Sequence, residues 1–367
     1  MARIQALEIL LDPSGKAYLA ELYGKVIENV QKQTISGGMK NMDLSGDPTT
    51  GTVEANRYQN SVSKSYKTAR TGGTGDKIVA KPVTISIDND REIVEELEQK
   101  DVKLYGVDGV LDRRAMNHIA SMVRELEEAF FFEAASNAEV EYQELGGSAT
   151  IAEEIEGLIK GLEKTRSNYV NGVDRMLMDL VLDVDTYSAF RIYLDEIPMN
   201  TNVNTAVDQF GMFHGVRVFS SVYLPLGVKA LLQVKGSVAQ PVMSNPYGAE
   251  RIPLSNAFAV ELFYSYGTKA VTPDLIHVWK RQLAKPAPTL AAAILTIPAV
   301  DDAAQFKIFD GAVLKATINA VVGGNTTYNL ALTVSGSGTH PITVVAINDA
   351  EVFEPSEASD VDNYIIP

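Results

Sequence analysis

Residues 16–33 place Leu19, Leu22, Tyr23, Val26, Ile27 and Val30 at three- and four-residue intervals, the spacing of one helical stripe. Asp12-Pro13 just upstream suits a helix start, and the flanking stretch QTISGGMKNMDLSGDPTTG has no period. Residues 1–52 therefore read as an arm carrying one amphipathic helix. Residues 53–70 then alternate weakly, TGGTG follows, and KIVAKPVTISID resumes an extended pattern. Two extended segments around a glycine-rich tip predict a long hairpin over 53–87. Neither arm has a face apolar enough to define a core, and an isolated hairpin is marginal in water. Such a hairpin needs a neighbour.

The clearest long helix lies at 111–135, where Ala115, Ile119, Met122, Val123, Leu126 and Phe130 form one stripe. Arg113, Arg124, Glu127 and Glu128 are expected largely off it. Residues 151–164 form a second amphipathic helix, opened by Thr150 and Glu153 as a capping box. MLMDLVL (176–182) suits a buried strand, and DVDTYSAFRIYLDE (183–196) a short helix. VRVFSSVYL, ALLQVK, the alternating run 258–266 and LIHVW then read as strands. Beyond KPAPTLAAA (285–293) the composition shifts: in 287–367 only Lys307 and Lys315 face nine acids. GAVLKATINAVV and TTYNLALTV flank GGN, a hairpin signal, and PITVVAI adds a strand. The predicted class is α+β with a small all-β module at 285–367.

Charge sharpens two of these segments. The 367-residue chain carries a formal net charge of −15, which disfavours a general nucleic-acid coat or a binder of anionic membranes. Yet VSKSYKTARTGGTGDK (62–77) is net +3, and DNDREIVEELEQKD (88–101) holds seven acids against two bases. No run of 18 apolar residues suggests a transmembrane helix, and the first residues do not read as a signal peptide. Cysteine is absent, which removes disulfides and thiolate metal sites.

Catalytic chemistry finds no foothold. GGTGDK lacks the G-K-[ST] ending of a phosphate loop, and Asp76 would repel a phosphate. His118, His214, His277 and His340 are scattered, with His118 and His277 expected to be partly exposed structural residues. Asp88-x-Asp90 lacks the glycine and the distal glutamate of a calcium loop. No G-x-S-x-G elbow occurs. The expectation is no catalytic, cofactor-binding or metal-binding residue and no cofactor: the chain is not read as an enzyme.

The order of segments resembles the major capsid proteins of tailed bacteriophages. The resemblance rests on VEANRYQNSVSKSYKTARTGGTGDKIVAKPVTISIDNDREIVEELE, on NHIASMVRELEEAFF, on GVRVFSSVYLP and on VELFYSYGTKAVTPDLIHV, in that order, and spans about residues 15–283. It implies the Johnson fold: an N-terminal arm at 1–52, an extended hairpin loop at 53–87 and a peripheral domain at 88–146 and 258–284. A spine helix at about 111–137 would run through that domain. It also implies an axial domain at 147–257, with 285–367 as an accessory β domain outside the minimal pattern. The implied function is a subunit of the icosahedral head shell of a tailed phage or prophage, in hexamers and pentamers, without catalysis.

The implied partners are further copies of the chain, a scaffolding protein, a portal and a maturation protease. The shell would enclose double-stranded DNA without sequence-specific binding and without a membrane. Its place is the virion, after assembly in the host cytoplasm. An encapsulin-type compartment is the alternative within the fold, and a soluble α+β enzyme with an accessory module the alternative outside it. Under the resemblance, Lys64, Lys67 and Arg70 of one subunit face the acidic segment of a neighbour, with Glu92, Glu95 and Glu96 as the opposing contacts. Exposed pairs are worth about 0–1 kcal/mol each, so they would set register more than adhesion.

Overall fold

A computed structural model describes the chain except for residues 1–12, 62, 64, 66–77, 98, 146–148, 197–210, 254–256 and 349–352. The chain divides into two compact units. One comprises Met1–Val140, Glu144–Leu224 and Leu231–His277, and the other Glu141–Gln143, Pro225–Ala230 and Val278–Pro367.

In the first unit, helix α1 (Pro13–Gln33) and helix α2 (Gln99–Ser136) pack on a three-stranded antiparallel sheet. Its strands are β3 (Asn89–Leu97), β7 (Val242–Arg251) and β8 (Phe258–Tyr266), with β8 in the middle. Every second residue of β8 is buried, as its alternation requires. Leu19, Leu22, Val26 and Val30 of α1 meet Ile119, Met122 and Leu126 of α2, and Val260, Leu262 and Tyr264 of β8. The arm helix is thus part of a core. Full burial of such a side chain is worth about 1.5–3 kcal/mol, far more than helix propensity supplies.

The spine helix begins at Gln99, a dozen residues before the start its apolar stripe gives. Gly106 and Gly109 lie in this extension, and each costs a helix only about 1 kcal/mol relative to Ala. Part of the acidic segment forms strand β3, with Ile93, Glu95 and Leu97 on its less exposed face. Three expectations about single residues are corrected. Glu127 is buried, with its carboxylate accepting the Ser36 backbone N–H at 2.9 Å. His118 and His277 are also buried, both 3% exposed.

Further along the unit, helix α3 (Ile151–Glu163) starts at the capping box: Thr150 Oγ1 accepts from Glu153 N while Glu153 accepts from Thr150 N at 2.8 Å. Strand β4 (Met178–Leu182) is buried throughout and is followed by helix α4 (Val184–Glu196). It runs parallel to β6 (Val216–Ser220), and β5 (Met212–Phe213) lies antiparallel on the other side of β6. Continuous burial explains why β4 reads as an uninterrupted apolar run. Arg175 ties the Met178 approach to α3 through Glu156 and Glu163, each at 2.7 Å.

The second unit is built of strands. One sheet orders β9 (Thr289–Ala291), β10 (Ile294–Ile297) and β13 (Thr326–Asn329). The other comprises β11 (Gln305–Asp310), β12 (Val313–Asn319), β14 (Gly338–Ile347) and β15 (Asp362–Ile366), in the order β12-β11-β14-β15. Leu295, Ile297, Phe306, Ile308, Ile342, Val344 and Ala346 are fully buried. The strands flanking GGN do not form a hairpin: β12 pairs with β11, whereas β13 pairs with β10 in the other sheet. Each strand buries its apolar residues in a different sheet, and that outweighs the local turn preference.

Candidate inter-subunit surface

The hairpin is rooted in its own chain. Strands β1 (Thr52–Tyr58) and β2 (Ala80–Ser86) pair antiparallel from Thr52↔Ser86 to Tyr58↔Ala80. Val53, Ala55, Ile85 and Ile87 are buried against Ala239 and Val271. The expectation that neither arm defines a core therefore fails at the base, where only a few apolar side chains suffice because the body supplies the rest.

Three contacts fix the base. Gly267 approaches so closely that a Cβ there would stand 1.9 Å from the Ser86 carbonyl oxygen. Arg57 donates to Asp274 at 2.7 Å and lies 4.3 Å from the centre of the Tyr169 ring. Ser167 Oγ donates to the same Asp274 carboxylate at 3.2 Å. Burial alone would raise the Asp274 carboxyl, but the hydrogen bond and charge of Arg57 outweigh it and hold the group below the usual range.

Outward from Arg57 the character changes. The Gln59 N–H donates to Val79 O at 3.0 Å and the Asn60 N–H to Asn168 O at 3.1 Å. Tyr58, Ile78 and Val79 are exposed, Ile78 at 88%. Apolar side chains thus emerge where the root ends. Lys64, Lys67 and Arg70 lie outside the described residues.

The acidic candidates lie on β3, and the pleat sorts them. Glu95 points to the helix side, where Arg114 Nε contacts its two oxygens at 2.9 and 2.7 Å and His118 Nε2 lies 3.3 Å away. Hydrogen bonds from Arg114 hold the Glu95 carboxyl below its usual range. This carboxylate is occupied within its own chain. Glu92 and Glu96 point the other way and are exposed.

Strand pairing then reveals two acids that sequence reasoning missed. Glu261 of β8 sits opposite Val94 of β3, and Glu250 of β7 sits opposite Ala259 of β8, whose other neighbour is Glu96. With Asp90, which accepts from Ser265 Oγ at 2.6 Å, these side chains give one face of the sheet a run of carboxylates. Like charges on neighbouring strands cost stability, so the face favours a cationic partner. No signal along the sequence could have joined Glu250 and Glu261 to β3, because only the register brings them together.

No group of three or more His, Asp or Glu that could hold a metal occurs among the described residues. No helix among them is long and apolar enough to cross a membrane.

A rooted hairpin, a long helix packed on a three-stranded sheet and a mixed sheet, with an added β unit, make up an α+β chain whose fold is the Johnson fold of phage capsid structures. Among solved structures with this fold, one from Mycobacterium phage Che8 matches with a TM-score of 0.50 at 16% identity, covering 67% of this chain and 91% of that one. The capsid structure of the cyanophage P-SCSP1u matches with a TM-score of 0.50 at 14% identity, covering 67% and 88%. No protein-family model matches the sequence, and no curated protein does either.

Proposed function

We propose that this chain is a major capsid protein, the structural subunit of the icosahedral head shell of a tailed phage or prophage. The observation that carries the reading is the hairpin on a capsid-type fold. Its root is fastened to the body by Arg57, Gly267 and a small core, while Tyr58, Ile78 and Val79 leave the root exposed. Apolar residues placed this way gain burial by lying on another subunit.

The neighbour's sheet offers the matching surface. Lys64, Lys67 and Arg70 of one copy would face Glu92 and Glu96 of the next, joined there by Glu250 and Glu261. Glu95, held by Arg114, would shape the strand instead of meeting the hairpin. The subunit acts by assembly and without catalysis, in capsomers of five and six. Scaffolding protein, portal and maturation protease are its assembly partners, and DNA is enclosed without being read. It belongs in the virion, assembled in the host cytoplasm. An acidic chain suits that role, since an acidic wall does not hold packaged DNA tightly.

Sedimentation and light scattering of the chain, expressed alone and with its assembly partners, test the reading. Capsomers or larger closed particles are expected. A small monodisperse species under every condition would contradict it.

A further inference from the structure

The four-stranded sheet of the second unit has an outward face of unusual composition. Phe306, Ile308, Ile342, Val344 and Ala346 point into the core, so the alternate residues point outward. The register aligns Leu314 with Phe309, Lys307 with Val345 and Gln305 with Ile347, and places Ile365 on the same face from β15. Leu314 is 48% exposed and Ile365 67%. No Asp or Glu stands at any outward position of these four strands, although residues 287–367 hold nine acids and two lysines. Among the described residues, β12 at one edge of this sheet pairs with β11 alone.

We propose that this face is an interface between the second units of two copies of the chain. The proposal rests on the shell reading, which sets neighbouring copies at a fixed spacing and a high effective concentration. The choice of occupant follows from charge. Asp301, Asp302, Glu357 and Asp360 lie in connections between strands, so approach by those surfaces sets like charges together. Two acid-free faces meet without that penalty. Leu314, Phe309, Val345 and Ile347 form an apolar patch bordered by Gln305, Thr317 and Thr343, and two such faces can stack at about 10 Å, the ordinary spacing of two sheets. Lys307 can reach past the patch to water along its own aliphatic stem.

The absence of native cysteine gives a clean test. Ile365→Cys and Thr317→Cys report on the face, and the exposed Leu332→Cys, just after β13 of the other sheet, serves as the control off it. Each full-length variant is labelled with a bulky maleimide, once in particles assembled from the chain alone and once after dissociation and dilution. Labelling at 365 and 317 is expected to slow about tenfold or more on assembly, in proportion to the fraction uncovered, while 332 is unchanged. A thiol-reactive bifunctional linker should give dimers at 365 in the same particles.

Equal labelling of all three positions in intact particles overturns the proposal. So does protection that persists after dissociation, which would mean that the chain's own body covers the face. If no particles form, the shell reading fails, and a concentration series still decides the interface. Protection that rises with concentration at 365 and 317 alone supports it, and none at high concentration overturns it.

Discussion

Arg57 and Asp274 stand 2.7 Å apart, 217 positions apart in sequence, with both side chains only 14% exposed. Their pairing fastens the hairpin root to the body, with Asn60 N–H to Asn168 O a further tie just beyond it. Replacing Arg57 by Ala strands a partly buried carboxylate and removes the stacking on Tyr169, at a cost of about 1–3 kcal/mol. The measurement is hydrogen exchange of peptides covering 52–60 and 78–86. Faster exchange there, with α3 unchanged, is the expected result. Because Asp274 is depressed in the folded state, the pair contributes above the ordinary carboxylate pKa and is lost as pH falls through the folded value. The wild-type root should therefore loosen on the acid side, and the Arg57→Ala root should show less of that dependence.

Gly267 makes a sharper test of the same root. A methyl group at 267 would overlap the Ser86 carbonyl, and backbone must move to admit it. Gly267→Ala is expected to lower thermal stability by several degrees and to disturb the buried set Val53, Ala55, Ile85 and Ile87 first. Exchange or limited proteolysis at the β2 end resolves this. An Ala variant with wild-type protection there would show that the close approach is not a constraint.

The electrostatic register of the hairpin is tested by charge exchange. Reversing Lys64, Lys67 and Arg70 to Glu should slow assembly, most at low salt, where screening is weakest. Reversing Glu92, Glu96, Glu250 and Glu261 to Lys should do the same. Combining the two sets should restore part of the loss, read as light-scattering rate against ionic strength. Unchanged assembly in both single sets at low salt would separate the hairpin from this face. Reversing Glu95 should instead lower stability of the isolated subunit, because Arg114 loses its partner.

His277 supplies a pH signature of folding. Burial lowers its pKa to about 4, while the unfolded chain keeps the ordinary value near 6.5. The unfolded state therefore binds the proton first as pH falls. Stability is intact above about pH 6.5 and declines toward pH 4, by up to about 3 kcal/mol for this group. His277→Gln should flatten that part of a denaturation series. Gly161, whose Cβ would meet the imidazole at 3.3 Å, should accept Ala only with a loss of packing. A variant with wild-type slope between pH 6.5 and 4 would rule His277 out as the source.

Much of the architecture is legible in the residues. The stripe of α1, the alternation of β8 and the Thr150–Glu153 box each carry their own local signal, and the structure forms all three. What fails is non-local. The burial of Glu127 depends on Ser36, 91 positions away, and the different sheets of β12 and β13 depend on partners beyond GGN. The acidic run at 88–101 showed its charge in the sequence, but its division between Glu95 inward and Glu92 and Glu96 outward follows from pairing with β8. Glu250 and Glu261 join the face through register alone, and Arg57 shows nothing along the sequence that would match it to Asp274.

Negative-stain electron microscopy of the expressed chain addresses the central claim most directly, because assembly itself is the proposed activity. Closed shells, rings of five or six, or tubes are the predicted images, and the hairpin variants should thin or abolish them. A uniform field of small compact particles at high concentration, even beside co-expressed phage assembly partners, would contradict a shell subunit and favour a soluble α+β protein with an accessory β unit.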